Sequence, residues 1–580
     1  MADIHPLKSA DAKLCVLKFG SSVLESEDDY HRAAQEMYRH VRLGERVVAL
    51  VSALAGETDA LFAQAERLGG DPSGKLVARL VRVGELRSAA LMALALRRIG
   101  LRACTLDPHE MDLKAEGSPL DANLSGLDRP SVEATLADNE VVVVPGFIAD
   151  HDQHGVVTLG RGGTDLSAVF FAARLGARRV RLIKDVDGVY DSDPAKNPKA
   201  ERYGTLDYDS AAKASAGLIQ AKAIDAAKEA QIAIEVAAVG NHEATVVGAL
   251  PSAKAMPPQP RRLRVALLGC GVVGTGVLHH LAARPDWFEL GPVLVRDPAK
   301  HDASQHRFTA DPAEALAGDP DVVVELMGGR GLALELMAKA LRAGASVVTA
   351  NKAAVAGDHD LLSASANAED QLRFSGAVGG GTPVLETIDR LRSAGLRSVD
   401  GVMNGTANYL LGRLADGVSM DDAISEAQRL GFTEADPSGD VDGHDAADKL
   451  SILARAAFGV ALAPEQIARE SLRSLSADAV VAAAARGLVV KQVGRCWLGD
   501  DGNVHGQVRL EHLPAANPLA GLRNEENGFV LRGLDGRLHE VHGKGAGRLP
   551  TAAAVFADVM DVQRVLAFRP PVAMQMRLSA

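Results

Sequence analysis

At 580 residues, 47% of them hydrophobic, the chain has material for about three to five domains at roughly 150 residues each. Its formal charge of −12 excludes a general nucleic-acid or anionic-membrane partner, since both need a basic surface, and 4% aromatic residues argue against stacked single-stranded bases. Cys15, Cys104, Cys270 and Cys496 form no CxxC pair, so no disulfide framework or zinc cage is readable; with no apolar signal core and no run near ~20 apolar residues, the expected setting is the cytoplasm.

In chain order, the first half alternates β-branched runs with Ala/Leu/Arg-rich stretches. Strands are expected at Leu14–Lys18, Val47–Val51, Val141–Pro145, Val180–Ile183 and Ile232–Val236, and helices at Leu76–Ile99, Ser167–Leu175 and Ser210–Ala230. That alternation predicts a mostly parallel sheet covered on both faces. Residues 250–262, LPSAKAMPPQPRR, carry four prolines and read as a semi-rigid linker. The strand–helix rhythm then resumes from Val265 to about Val348, followed by a different region and a helix-rich tail.

The second half opens with RVALLG, leading into Gly269-Cys270-Gly271-Val272-Val273-Gly274 and an amphipathic stretch, Val272–Ala283. Strand, GxGxxG and helix in that order suit a dinucleotide, whose pyrophosphate would sit at the helix N-terminus. A second strand, Glu289–Val295, ends at Arg296-Asp297, where ribose selectivity is decided. Arg296 could pair a 2′-phosphate and Asp297 a free 2′-hydroxyl; the balance leans to NADP, with NAD open.

Further segments follow: VVELMGG (323–329), VVTANK (347–352), VGGGTP (378–383), GVMNGTANYL (401–410), GFTEADPSGDVDGHDAADK (431–449) and GKGAGRLPT (543–551). In this order they resemble homoserine dehydrogenase over nearly all of 263–580. The resemblance implies reduction of aspartate 4-semialdehyde to homoserine with a nicotinamide cofactor. It implies cofactor contacts at Gly269, Gly271, Val272, Val273, Gly274, Arg296, Gly328, Asn351, Lys352 and Gly547. Hydride delivery to an aldehyde leaves an alkoxide that needs a proton donor or a cation, for which Lys352 and Lys449 are the candidates. Asp445 and Lys449 are i, i+4 and share a helix face. In the family the matching Asp holds the substrate amine, the matching Lys helps protonate the oxygen, and Glu434 matches a further substrate-binding acid. Outside that context the same pair would read as an ion pair on a solvated face. Relatives hold a monovalent cation, Na⁺, on backbone carbonyls, which would map to Val378, Gly380 and Thr382; the family Glu nearby is Ser375 here.

In the first half, Lys18-Phe19-Gly20-Ser21-Ser22, VSALAGETD (51–59), Gly84-Glu85, Pro145-Gly146-Phe147, TLGRGGTD (158–165) and KDVDGVYDSDP (184–194) together resemble aspartate kinase of the amino-acid-kinase family, over roughly 13–250. Phosphoryl transfer to a carboxylate needs a Gly-rich cradle, a cation and an acceptor clamp. Lys18 beside Gly20 offers the cation, and Arg161 a bidentate grip on a carboxylate. Glu85 and Asp165 could pair the acceptor's ammonium or help order Mg²⁺. The resemblance assigns aspartate binding to Ser52, Thr58, Glu85 and Arg161. It places ATP near Lys18, Gly20, Ser21, Asp165, Lys184, Asp185, Tyr190 and Asp193. Departures are Ser21 and Ser22 in place of Gly and Thr, and a GLIQAK segment (217–222) that does not match the family's Lys and His-Pro.

The expected fold is α/β: an amino-acid-kinase-like αβα sandwich over 13–250 and a linker over 251–262. A Rossmann domain follows over 263–382, completed by 545–580, and an α+β catalytic and dimerisation domain over 383–544. Three functions stay open. One is a bifunctional enzyme of threonine, methionine and lysine biosynthesis acting on L-aspartate and its semialdehyde, as a homodimer or larger assembly. Another is a dehydrogenase carrying a degenerate kinase-like binding module. The last has a kinase half that acts on another small carboxylate or phosphate acceptor, though Arg161 and Glu85 favour an amino acid. The regulatory ligand-binding modules that follow the kinase in relatives have no counterpart in the segments read here, so insensitivity to threonine, lysine and methionine is expected.

Overall fold

The segment LCVLKF, Leu14–Phe19, has too few polar positions to face water on either side, and it is buried on both. It forms the middle of a nine-stranded sheet in the computed structural model, which describes residues 13–160, 162–197, 199–215, 217–255, 262–433, 436–545 and 547–567. The chain divides into two units, one within 13–255 and the other within 262–567.

In the first unit Leu14–Phe19 pairs in parallel with Arg46–Val51 and Arg179–Lys184, and Arg46–Val51 with Val141–Pro145. Alternate residues (Val16, Val48, Leu50, Val142 and Val144) join a core with the helix Gly163–Leu175. Helices Asp29–Arg42 and Lys75–Arg98 pack together and against these strands. The expected helix Ser210–Ala230 is two helices, Tyr208–Ala214 and Ala221–Ala230, because Gly217 lies between them with a φ of +84°. Ala253–Lys254, inside the proline-rich stretch, adds an antiparallel edge strand to Tyr203–Asp207, at a point where no proline removes an N–H donor. Residues 256–261 of that stretch lie outside the described residues.

The second unit starts with a parallel sheet ordered Phe308–Thr309, Val293–Leu294, Leu263–Leu268, Val322–Glu325, Ser346–Thr349 and Leu372–Arg373. The expected second strand is interrupted: Phe288–Leu290 and Val293–Leu294 flank Gly291-Pro292, and Pro292 cannot donate to a ladder. One face packs on helix Val272–Ala282 and on the late helix Arg548–Ala567, which supplies Ala552, Val555, Phe556 and Val559 to the core. Helix Gly331–Arg342 covers the other face. The remaining sheet has six strands, ordered Ala468–Arg469, Val504–Pro514, Leu488–Leu498, Leu396–Val402, Glu526–Gly533 and Leu538–Lys544, and helix His444–Phe458 packs across it. Among the described residues no helix is long and apolar enough to cross a membrane.

Candidate functional site

Both units gather their candidate residues at the carboxyl ends of parallel strands, where doubly wound sheets bind ligands. In the second unit Leu263–Leu268 runs into Gly269, whose φ is +101° and where a Cβ would lie 2.7 Å from the Leu326 carbonyl. A Cβ on Gly274 would overlap the Gly269 carbonyl oxygen. Gly271 differs, since nothing lies within 4 Å of a Cβ there. It precedes the helix Val272–Ala282, which has no side-chain cap, so the N–H groups of the first turn stay available to an anion. Two glycines therefore serve packing and the third leaves room, which fits a pyrophosphate.

Glu325 ends its strand fully buried. It accepts the N–H groups of Met327 (2.7 Å) and Gly328 (3.0 Å) and the Thr349 hydroxyl (2.7 Å). It thereby shapes a turn in which Gly328 and Gly329 both have φ +75°. Asn351 caps the helix Lys352–Ser365 through Ala354 N–H (3.2 Å) and donates to the Gly329 carbonyl at 2.5 Å. The expected residues Gly328, Asn351 and Lys352 are thus brought together, partly by a carboxylate that the motif reading did not single out. Arg296 is exposed, one residue beyond Val295. Asp297 caps Ala299 N–H (3.2 Å) and lies 3.5 Å from Lys300. Gly547 precedes the late helix with φ +118°.

Asp445 and Lys449 lie on helix His444–Phe458, and both are buried, at 7% and 8% exposure, which removes the solvated-face reading. Lys449 Nζ is 2.8 Å from Asp445 Oδ2 and donates to the Met403 carbonyl at 2.7 Å. Lys352 pairs with Asp445 Oδ1. Burial would raise the Asp445 carboxyl, but the ammonium groups of Lys449 and Lys352 overcome it and hold it below the usual carboxylate range. Asn404 donates to both Asp445 Oδ2 (2.8 Å) and Asp440 Oδ1 (2.7 Å), and Thr433 donates to Asp440 Oδ2 (2.7 Å). Asp440 and Asn404 are site residues that the sequence reading quoted within motifs without giving them roles. Glu434 lies outside the described residues. Val378, Gly380 and Thr382 lie on one turn, with Gly379 and Gly380 in the left-handed region; the Thr382 carbonyl already accepts Val384 N–H at 2.8 Å, so a cation there would share that oxygen. Ser375 donates through its N–H (2.9 Å) and hydroxyl (2.8 Å) to buried Asp558 of the late helix.

In the first unit a pocket of about 630 Å³ is lined by Lys18, Gly20, Ser21, Ser52, Thr58, Glu85, Asp165 and Lys184, among others. Gly20 has no side chain because Lys18 Nζ folds across it; a Cβ would collide with that ammonium. Asp165 is shared by two lysines, with Lys18 Nζ at 2.7 Å and Lys184 Nζ at 3.0 Å. Burial and the neighbouring Lys18 push Lys184 down to about 8. Burial raises the Glu85 carboxyl to about 8, and its Oε2 has no partner. Ser52 donates to the Thr164 hydroxyl at 2.9 Å. Of the expected nucleotide residues, Asp185, Tyr190 and Asp193 stand on the loop after Arg179–Lys184 and do not line this pocket. Tyr190 donates to Asp187 at 2.7 Å, and Asp193 accepts Ala195 N–H at 3.0 Å. Arg161 lies outside the described residues, between Gly160 and Gly162 with φ of +73° and +75°. Lys222 pairs with Asp121 at 2.7 Å.

A strand–glycine–helix cradle on a parallel sheet, with a buried Lys–Asp pair reached by a half-exposed second lysine in the same unit, defines a nicotinamide-dependent dehydrogenase. The comparisons agree. The description "Homoserine dehydrogenase, NAD binding domain" matches residues 269–374, "Homoserine dehydrogenase" matches 383–560, and "Amino acid kinase family" matches 13–238. The homoserine dehydrogenase of Corynebacterium glutamicum is 38% identical over 321 residues, 52% of this chain and 72% of that protein. That of Pseudomonas aeruginosa is 35% identical over 324 residues, 53% and 74%. A crystal structure of a homoserine dehydrogenase from Thiobacillus denitrificans matches with a TM-score of 0.50 at 33% identity, covering 54% of this chain and 76% of that one. The aspartokinase of Helicobacter pylori is 34% identical over 238 residues, 40% of this chain and 59% of that protein. The chain belongs to the homoserine dehydrogenase family and carries an amino acid kinase domain ahead of the dehydrogenase.

Proposed function

We propose that the chain is bifunctional: it phosphorylates L-aspartate to 4-phospho-L-aspartate with ATP and Mg²⁺, and it reduces L-aspartate 4-semialdehyde to L-homoserine with NADPH. The observation that supports the dehydrogenase chemistry best is the Lys449–Asp445–Lys352 cluster, with Asp445 and Lys449 buried and Lys352 half-exposed at its edge. Nicotinamide, when bound, supplies the hydride. Lys449, held by Met403 O and Asp445 Oδ2, keeps a proton at Nζ for the oxygen that gains negative charge. Asp445 keeps both lysines charged and aimed, and Lys352 stands where cofactor and substrate residues meet. Asp445 and Glu434 are the acids read as taking the substrate's ammonium group.

For the kinase, the supporting observation is the pair of lysines on one carboxylate beside a buried acid, Glu85, with one oxygen unpartnered. Lys18 and Lys184 counter the charge of a transferring phosphoryl group, and Asp165 fixes their positions. Glu85 Oε2 is the acceptor site for an ammonium group. ATP supplies the phosphoryl group.

The test is two assays on the purified full chain. Aspartate hydroxamate should form with Mg²⁺-ATP and hydroxylamine, and NADPH should be consumed with aspartate semialdehyde. Hydroxamate at background level alongside normal NADPH consumption would leave the kinase domain as a binding module. Failure of NADPH consumption would overturn the dehydrogenase assignment.

A further inference from the structure

At the other end of the Leu14–Phe19 strand from Lys18, three side chains of different chemistry converge. Cys15 comes from the strand, His40 from the last turn of helix Asp29–Arg42, and Glu45 from the turn into Arg46–Val51. Cys15 Sγ is 3.6 Å and Glu45 Oε2 is 2.6 Å from the same atom, His40 Nδ1. The three donor atoms lie within 4.8 Å of one another. We propose that Cys15, His40 and Glu45 bind one divalent transition-metal ion, with zinc the best match to the donor set.

Thiolate, imidazole and carboxylate are zinc's protein ligands. Zn–S near ~2.3 Å and Zn–N near ~2.0–2.1 Å at tetrahedral angles put sulfur and nitrogen about 3.5 Å apart, close to the separation between Cys15 and His40, whereas Glu45 Oε2, hydrogen-bonded to Nδ1 at 2.6 Å, has to swing out to about 3.4 Å to admit the ion. The surroundings orient the ligands. Glu36 Oε1 faces the far ring nitrogen, His40 Nε2, at 3.6 Å. Arg39 Nη2 lies 3.4 Å from the same nitrogen, so charged neighbours engage the far side of the ring and Nδ1 is the atom turned toward Cys15 and Glu45. Arg179 holds Glu45 Oε1 at 3.2 Å, which leaves Oε2 to ligate. Cys15 and His40 are 0% and 2% exposed, so water is excluded from two of the three ligands.

Charge also allows the ion. Arg39, Arg179 and Arg181 face Glu36, Glu45 and Glu235 around the site. His40 lies between Glu36 and Glu45, and to ligate, Cys15 Sγ and His40 Nδ1 must each be without a proton. Cys15 lies three residues before Lys18, roughly 10 Å along the strand, so the ion joins strand, helix and next strand and takes no part in phosphoryl transfer. The ligands are 25 and 5 residues apart in sequence, a spacing that no linear motif displays.

Cobalt substitution decides it. The full chain, incubated with Co²⁺ and gel-filtered, should retain one equivalent and show a near-ultraviolet thiolate-to-cobalt charge-transfer band. The band should vanish in Cys15→Ser. It should persist when Cys104, Cys270 and Cys496 are all changed to serine, which keeps the question answerable if Cys15→Ser does not fold. No retained cobalt, cobalt without the thiolate band, or a band that survives Cys15→Ser would overturn the site.

Discussion

Lys449 and Asp445 form a buried ion pair 2.8 Å long on one face of a helix, and Lys449 reaches past it to the Met403 carbonyl at 2.7 Å. Two acceptors fix two of its three N–H bonds and leave the third for a substrate oxygen. Lys449→Ala should lower kcat by on the order of 10²-fold or more, with little change in cofactor affinity. Steady-state kinetics beside a fluorescence titration of NADPH checks this; a near-normal kcat would refute it.

The cradle glycines should separate by role. Gly271→Ala adds a Cβ in open space, so the fold should survive while NADPH affinity falls about tenfold or more. Gly274→Ala pushes a methyl group into the Gly269 carbonyl and should cost about 1–3 kcal/mol of stability as overpacking. Urea unfolding and cofactor titration on both variants would expose the reverse pattern, or no difference.

Arg296 is exposed while Asp297 is occupied by Ala299 N–H and Lys300. A charge-assisted contact is worth roughly 1.5–3 kcal/mol. Arg296→Ala should therefore weaken NADPH about ten- to a hundredfold and leave NADH nearly unchanged. Equal losses for the two cofactors would count against a 2′-phosphate contact.

Glu85 has a carboxyl raised by burial to about 8 from 4.5. Between those values the folded chain keeps a proton that the unfolded chain has released, so this group's stability contribution falls as pH rises from about 4.5 to about 8 and is level above. Glu85→Gln should flatten that decline and stabilise the first unit at pH 8 and above, while raising the KM of an ammonium-bearing acceptor. Unfolding curves taken across the window check the first part; a slope equal to the parent's would contradict it.

Much of this was legible in the chain. Val141–Pro145 forms as expected, because a run of valines suits a strand buried on both faces. Lys352 and the Asp445–Lys449 pair converge from motifs 93 residues apart. What the chain did not disclose is tertiary. Glu325 reads as one acid in an apolar run, and its role depends on N–H groups of a turn two and three residues on and on Thr349 from the next strand. Asp440 gains its place through Thr433 and through Asn404, which also caps its own helix. Gly217 was readable as a breaker, yet the flanking helical composition hid it.

The late helix Arg548–Ala567 fills the same core as the strand that begins at Leu263. During synthesis, at about 5–20 residues per second, the first strand of the cofactor layer therefore waits roughly 15–60 s for its covering helix. Through that interval Leu263, Val265 and Leu267 lack their final apolar partner. Until then only helix Val272–Ala282 covers that face, so the cofactor layer reaches its final packing after the whole six-stranded sheet has been made.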